Sequence, residues 1–353
     1  MARVWLYALV AAIVAAAGGF AAGYLAAPRS ASAPSAADGT ISITAAGTLA
    51  PIFPAIASAV ANETPGASAP LAAQQYEGSL AALSAIRDLG HAYDVAAVAD
   101  YRLIPSLLEP DDAAWEIAFA STPEVLAYDP SVPALSGITA ENWAEKIAQP
   151  GIVLGVANQS TDPNGYNGIF VLELEGLVAN GSLSALYDRF YTTPVGGLAE
   201  PDPTTTRVEP ESQAATLLAT HVVSAFIIYR SYAVSEKLSY VPLDPRVGLG
   251  ATDPADVAFY ANATTTILTA SGSSLVRGAP VLFAATVPAN APNPALGLAF
   301  LHYLDSPTGS GLLAAAGFTA IFPAYTDRTP SSLPGTLAPD VTPLPTGLAA
   351  LLA

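Results

Sequence analysis

The chain has 353 residues, of which 52% are hydrophobic and 12% are charged, which indicates well-buried α/β packing and excludes a disordered chain. Its formal net charge of -17 argues against nucleic acid as a partner, because nucleic-acid binding depends on basic surfaces. There is no Cys and there are three widely spaced His, so we expect no disulfide, no thiolate metal site and no His-based metal centre.

The first segment of the chain is apolar. Residues 4–27 carry almost no polar side chain and follow a single basic residue, Arg3. A run of this length can cross a bilayer, so we interpret residues 1–27 as a signal sequence or a membrane anchor. Ala-x-Ala patterns near residues 31–37 leave cleavage open. Residues 28–39 are rich in Ser, Ala and Pro and indicate a flexible spacer, with the remainder of the chain exported.

The next residues alternate between strand and helix patterns. A strand from Ile41 ends near Thr48, a helix follows from about Ala50 to Glu63, and a second helical segment starts at residues 77–80 and runs to Asp88. A buried strand pattern covers residues 93–100. Such alternation predicts a mostly parallel sheet, in which ligands bind where strands end and helices begin. The hydroxyls of Thr48 and Ser79 are therefore either helix caps or ligand contacts.

Residues 118–128 indicate a strand that crosses into a second lobe. Beyond it, a strand pattern at 151–156 and a helix pattern at 169–178 enclose a polar loop that contains Asp162. Such a junction directs free backbone N–H groups and a helix dipole at one point, which favours an anion. Because a carboxylate repels an anion, Asp162 is interpreted as a helix cap with Pro163 at the first helical position, unless it bonds to the ligand directly.

The second half of the chain contributes one more carboxylate. Glu211 precedes a helix pattern at 214–220 and is either a helix cap or a ligand, with Glu209 as the alternative ligand. A buried strand at 224–230 carries Tyr229, which is either a core residue or a ligand contact. A further strand pattern covers 240–243, residues 280–287 cross back to lobe one, and a helix covers 294–304. Asp162 and Glu211 also suit acid–base catalysis, so an exported hydrolase is an alternative.

An ordered set of short motifs resembles the archaeal tungstate/molybdate-binding proteins that serve ABC importers. The motifs span about residues 41–325, which is nearly the whole exported part. They are Ala46-Gly47-Thr48-Leu49, Glu77-Gly78-Ser79, Asp94-Val95 to Asp100-Tyr101 with Ile104-Pro105, Asp162-Pro163-Asn164-Gly165-Tyr166, Arg207 to Glu211, Ile228-Tyr229-Arg230-Ser231 and Val287 to Asn293.

This resemblance implies a two-lobed, type II periplasmic-binding-protein-like fold, each lobe a mostly parallel sheet flanked by helices, with the ligand in the cleft. It implies that Asp162 and Glu211 bind the tungsten or molybdenum atom itself and raise its coordination from four to six oxygens. Backbone N–H groups of Thr48, Ser79 and Asn164 would hold the outer oxygens. The oxyanion-binding residues implied in this way are Gly47, Thr48, Ser79, Asp162, Pro163, Asn164, Glu211 and Tyr229. Asn164 replaces a Cys of the family's motif, and Asn167 replaces an Arg.

The sequence thus predicts lobe one from residues 40–120 with 285–326, lobe two from 121–284, and a Pro-rich tail at 327–353. The expected function is extracytoplasmic capture of tungstate or molybdate and delivery to an ABC permease, by a monomer without enzymatic activity or a cofactor. The main alternative is a receptor of the same fold for another oxyanion such as sulfate or phosphate.

Overall fold

The computed structural model describes residues 40–63, 74–269, 272–335 and 337–350. The expected signal sequence or anchor (1–27) and the expected spacer (28–39) lie outside these residues. Within the described ranges, no helix is both long enough and apolar enough to cross a membrane.

The strands of the described residues form two large sheets and a two-stranded ribbon. Sheet one has seven strands and sheet two has five. Numbered along the chain, the strands are β1 (Ile43–Ala46), β2 (Gln74–Glu77), β3 (Val95–Val98), β4 (Ile117–Ser121), β5 (Glu124–Tyr128), β6 (Leu154–Val156), β7 (Thr206–Val208), β8 (Ala225–Tyr229), β9 (Tyr240–Pro242), β10 (Thr264–Thr269), β11 (Gly272–Arg277), β12 (Leu282–Thr286), β13 (Thr319–Thr326) and β14 (Val341–Pro343).

The helices flank the two sheets. Short 3-10 turns are also present, and two of them, Gly47–Leu49 and Glu211–Gln213, matter for the site. The helices are α1 (Phe53–Glu63), α2 (Ser79–Arg87), α3 (Leu103–Leu107), α4 (Trp143–Ile147), α5 (Pro163–Asn180), α6 (Ser184–Tyr187), α7 (Ala214–Ala219), α8 (Arg230–Ser235), α9 (Pro254–Tyr260), α10 (Pro294–Leu304), α11 (Pro307–Ala315) and α12 (Thr346–Ala349).

Both sheets mix parallel and antiparallel pairs. Sheet one has the order β14-β13-β4-β12-β3-β1-β2, and sheet two has the order β7-β6-β8-β5-β9. The pairs β2-β1-β3 and β7-β6-β8 are parallel, whereas β12 and β5 are antiparallel to both of their neighbours. The expectation of mostly parallel sheets is therefore wrong in this detail, because strands near the lobe crossings run against the β-α-β direction.

The two sheets define the two lobes, called lobe one and lobe two below. The chain leaves sheet one after Ser121 and enters sheet two at Glu124, so the strand predicted at 118–128 is two strands, one in each sheet. It returns to sheet one at β12. The tail predicted at 327–353 contributes β14, which pairs in parallel with β13 at the edge of sheet one.

Helix α5 lies at the centre of lobe two. It packs against β5, β6 and β8 on one side and against β10 of the ribbon. Pro163 occupies its first turn, and Gly181 ends it in a left-handed conformation with φ 68°, which glycine adopts at little cost. Most of its residues are buried, as expected for a helix that is apolar on all sides. The start of α5 therefore lies in lobe two, on the loop that follows the carboxyl end of β6.

Candidate functional site

The lobe-one side of the site consists of two hydroxyls placed directly after strands. Thr48 lies in the 3-10 turn that follows β1, and Ser79 is the first residue of α2. Neither hydroxyl caps its own helix, so the capping interpretation is wrong for both. The Ser79 hydroxyl oxygen instead accepts from the N–H of Ala99 at 2.9 Å, which ties the start of α2 to the end of β3. Both residues are buried.

The lobe-two side begins at Asp162. This residue does cap α5, as one sequence interpretation predicted, because its Oδ1 accepts from the N–H of Asn164 at 3.0 Å. The Asn164 N–H is thus engaged within the protein and does not correspond to the free donor expected from the sequence. The Asn164 side chain donates from Nδ2 to Glu124 Oε2 at 3.1 Å. Pro163, next to the cap, is buried at the first helical position.

Glu211 connects the two lobes. It opens the 3-10 turn after β7 but makes no capping hydrogen bond, so it is not a helix cap. Its Oε1 accepts a hydrogen bond of 2.9 Å from the Thr48 hydroxyl of lobe one. A Cβ placed on Gly47 would lie 4.0 Å from the same oxygen, so the turn after β1 approaches Glu211 closely. This cross-lobe bond belongs to Glu211 and not to the alternative, Glu209.

A second cross-lobe approach involves backbone. A Cβ on Gly78, just before α2, would lie 2.2 Å from the carbonyl oxygen of Thr161 and 3.2 Å from Asp162 Cβ. No real Cβ tolerates the shorter distance. Gly78 therefore allows lobe one to touch the loop that carries Asp162, and the cleft between the lobes is closed at this point.

A third contact closes the cleft through Asp100. The Tyr166 hydroxyl of lobe two donates to Asp100 Oδ2 at 2.8 Å, and Arg102 forms an ion pair of 2.6 Å with the same carboxylate. Burial alone would raise the pKa of Asp100, but the charge and hydrogen bonds of Arg102 outweigh it, so this pKa lies below its ordinary value. Asp100 is thus a charged, fully paired anchor beside the site.

Sequence reasoning missed a third carboxylate in the site. Glu124, the first residue of β5, is fully buried, and its charge interacts with those of Asp162 and Glu211. Its Oε1 and the Oδ1 of Asn164 are buried without a hydrogen-bond partner among the described residues. The available signal was a single Glu inside the apolar run 118–128, directly after Pro123. Such a buried acid requires compensation, which makes it a candidate for function.

The three carboxylates are forced toward their protonated forms. Burial raises the pKa of Asp162 to about 6, although the Asn164 N–H partly counters it. Burial and the charge of Asp162 raise the pKa of Glu211 well above its ordinary value, and burial with both neighbouring charges does the same for Glu124. Ionising these three carboxylates together as the pH rises therefore costs folding free energy.

We expect Glu124→Gln to stabilise the ligand-free protein at pH 7.5 and to have little effect at pH 5. A carboxyl whose pKa is raised by folding contributes stability at low pH, and this contribution is lost as pH rises through the folded pKa. Gln keeps the shape of Glu and removes its charge. The free energy of unfolding should rise by about 1.4 kcal/mol for each unit by which folding raises the pKa of Glu124.

Thermal unfolding at the two pH values measures this difference. The control is Glu145→Gln, which removes a charge from an exposed position on α4. Equal stabilities of Glu124→Gln and parent at pH 7.5 would show that Glu124 carries no electrostatic strain.

Tyr229 is a core residue, as one of its two sequence interpretations predicted, and its contact with a ligand stays a prediction. It is the last residue of β8, it is fully buried, and its ring packs edge-on against Phe283 with centroids 5.7 Å apart. Its hydroxyl accepts from Asn167 Nδ2 at 3.3 Å. Burial and the nearby carboxylates, Glu124 first among them, raise its pKa well above the ordinary value, so the hydroxyl remains a hydrogen-bond donor.

Two α/β lobes whose polar strand ends meet across a cleft define the type II periplasmic-binding-protein fold. The periplasmic molybdate-binding protein of Azotobacter vinelandii shares this fold with a TM-score of 0.53 and 15% identity, over 79% of this chain and 98% of that one. The sulfate-binding protein SubI of Mycobacterium tuberculosis gives 0.54 and 14%, over 80% and 87%. At this identity the likeness establishes the fold, and the predicted fold class is confirmed.

Residues 41–319 match the family described as bacterial extracellular solute-binding proteins, and the chain belongs to that family. It is thus a solute-binding receptor of the kind that serves ABC transporters. A solute-binding protein of Methanoculleus marisnigri is 33% identical over 70% of this chain and 73% of its own length. The molybdate/tungstate-binding protein WtpA of Pyrococcus abyssi is 27% identical, over 66% and 70%. The resemblance identified from the sequence motifs is therefore confirmed.

Proposed function

We propose that this protein captures tungstate or molybdate outside the cytoplasm and delivers it to an ABC permease. The observation that carries the proposal is the pairing across the cleft: Glu211 of lobe two is held by Thr48 of lobe one, and the charge of Asp162 acts on Glu211 and raises its pKa. A receptor for a simple dianion gains nothing from two carboxylates. Tungsten(VI) and molybdenum(VI) are hard centres that accept carboxylate oxygens as additional ligands.

In this proposal, each lobe has a separate task. Asp162 and Glu211 bind the metal atom. The Ser79 hydroxyl and the N–H groups at the start of α2 hold the outer oxygens, since the first N–H groups of a helix have no partner within it. Thr48 positions Glu211 through its hydroxyl, which donates to that carboxylate, and offers its backbone N–H to an outer oxygen. The Tyr229 hydroxyl donates a hydrogen bond to the same ligand. Asn164 acts through its side chain, because its backbone N–H donates to the capping carboxylate of Asp162.

Binding is reversible and makes or breaks no covalent bond of the ligand's oxygens. Because groups from both lobes contact one small ion, the lobes must hinge apart for entry and release. The family supports a location outside the cytoplasmic membrane. Residues 1–27 would provide the export signal or the anchor, and residues 28–39 would let the lobes reach the permease. The boundaries of the lobes near residues 121 and 285 remain part of this proposal.

We expect tungstate or molybdate to raise the melting temperature and to reduce the radius of gyration of the purified protein. A ligand that binds only the folded state stabilises it by about 2.7 kcal/mol when its concentration is a hundred times Kd. Differential scanning calorimetry and small-angle scattering measure the two effects.

Sulfate and phosphate at equal ionic strength are the controls. No response to tungstate or molybdate, together with a response to sulfate or phosphate, would favour the receptor for another oxyanion. Elemental analysis of the native protein, which gives the number of molybdenum or tungsten atoms per protein molecule, provides an independent test.

A further inference from the structure

Three carboxylates also meet in lobe one, at the amino-terminal end of β4, whereas Glu124 follows the carboxyl-terminal end of that strand. Glu109, Glu116 and Asp327 each place one oxygen within 4.8 Å of the other two. They come from three separate segments: Glu109 follows α3, Glu116 precedes β4, and Asp327 follows β13. Because β13 and β4 are antiparallel with Tyr325 opposite Ala118, the chain direction brings Asp327 beside Glu116.

These carboxylates are buried and incompletely paired. Glu116 is 1% exposed, and its Oε2 has no hydrogen-bond partner among the described residues. The Glu109 side chain is 6% exposed, and its Oε1 is likewise buried without a partner. The Asp327 side chain is 17% exposed. A buried acceptor without a donor is costly, so a group that supplies positive charge is needed at this place.

One guanidinium meets only part of this need. Arg328 pairs with Glu109 and lies 3.3 Å from Asp327, and its side chain is 40% exposed. Three carboxylates and one guanidinium leave a deficit of two positive charges, and the unpartnered Oε2 of Glu116 is on the buried side. A divalent cation supplies this charge and accepts carboxylate oxygens directly.

We propose that Glu109, Glu116 and Asp327 bind a divalent cation of the calcium class. Ca²⁺ accepts about six to eight oxygen ligands in a flexible geometry, which suits carboxylates that come from three separate segments. Mg²⁺ demands near-ideal octahedral geometry and usually keeps several waters, so it fits this cluster less well. Water can complete the coordination on the side of Asp327, where the cluster is partly exposed.

The bound cation would fasten the C-terminal segment, defined here as residues 327–350, to lobe one. This segment begins at Asp327 and adds β14 to sheet one. Further along, Leu337 and Leu348 are fully buried, and the Tyr101 hydroxyl donates to the Leu348 carbonyl at 3.1 Å. The competing arrangement is a protonated Glu116, because burial and the charge of Asp327 raise its pKa to about 8.

The test uses the full chain after removal of metals with EDTA, in buffer without oxyanion. Titration calorimetry with calcium chloride should show one site, and calcium should raise the melting temperature and slow proteolysis within the C-terminal segment. We expect Glu116→Gln to weaken calcium binding at least tenfold. The control Asp111→Asn removes an exposed charge two residues from Glu109 and should bind as the parent does.

Asp327→Asn, at the partly exposed position, repeats the test if Glu116→Gln does not fold. Absence of calcium binding by the parent protein would overturn the proposal and leave the protonated cluster. Binding that is unchanged in both Glu116→Gln and Asp327→Asn would overturn it equally. The response to tungstate plays no part in these outcomes, so they are independent of the proposed function.

Discussion

The double variant Asp162→Asn/Glu211→Gln should lose tungstate affinity by on the order of 4 kcal/mol, roughly a thousandfold, and should lose its discrimination against sulfate. In the parent, two carboxylates repel any dianion. In the proposed site, tungsten would offset this repulsion by bonding to them, but sulfur in sulfate accepts no further oxygen, so sulfate would be rejected. Both substitutions keep the local structure, because Asn caps a helix as well as Asp does and Gln can accept from Thr48.

Titration calorimetry with both anions measures the effect. Glu209→Gln is the matched control, since it removes a carboxylate two residues from Glu211 that lacks the bond to Thr48, and it should bind tungstate as the parent does. A double variant that binds tungstate as tightly as the parent and still ignores sulfate would show that these carboxylates do not contact the metal.

Gly78→Val should reduce tungstate affinity at least a hundredfold by holding the lobes apart. The new Cβ would lie 2.2 Å from the Thr161 carbonyl oxygen in the closed cleft, and this backbone atom cannot move as a flexible side chain would. The backbone of Gly78, with φ -60° and ψ 139°, is accessible to any residue, so the substitution introduces no strain when the lobes are open. Ligand-free stability should therefore change little.

The control for this variant is Gly311→Ala on α11, where an added Cβ meets open space. It should bind tungstate normally and should compact normally in small-angle scattering. Gly78→Val should bind weakly and stay expanded with ligand present. Normal affinity and normal compaction of Gly78→Val would show that binding does not require the contact between Gly78 and Thr161.

Local signals were sufficient for much of the fold. The helix predicted at 294–304 is α10 with the same bounds, because Pro294 begins it and the apolar pattern runs to Leu304. The junction of β6 and α5 was also predicted, since Asp162 and Pro163 are a strong helix start. Such features depend on neighbours within a few residues, which a single sequence displays.

Features that depend on distant partners were not predicted. The strand β2 is Gln-Gln-Tyr-Glu, which carries no buried apolar pattern, and it forms only because β1 pairs with it at the sheet edge. β13 contains Pro323, which argues against a strand in a sequence pattern. β14 has only three residues, which is too short to show an alternation of apolar and polar residues. The ribbon β10-β11 has Thr and Ser on much of its surface, so its alternation of apolar and polar residues is weak.

In the site as well, features that depend on near neighbours could be predicted and features that depend on distant partners could not. Thr48, Ser79, Asp162 and Glu211 could be selected because they sit at strand ends or helix starts. The hydrogen bond between Thr48 and Glu211 could not be predicted, because the two residues are 163 positions apart in the chain and only the closed cleft brings them together. Glu124 was missed for the opposite reason: it begins an apolar strand, and its role depends on the charges of two other elements.

The way the chain divides between the sheets also sets the order in which the lobes can be completed during synthesis. Sheet two draws its strands from one continuous stretch, residues 124–242, whereas sheet one needs β12 and β13 from beyond residue 281 and β14 from residues 341–343. A nascent chain can therefore assemble sheet two while sheet one still lacks central and edge strands. Contacts between such distant residues form slowly, so lobe one is the last to close and its exposed strands are the vulnerable part of the unfinished protein.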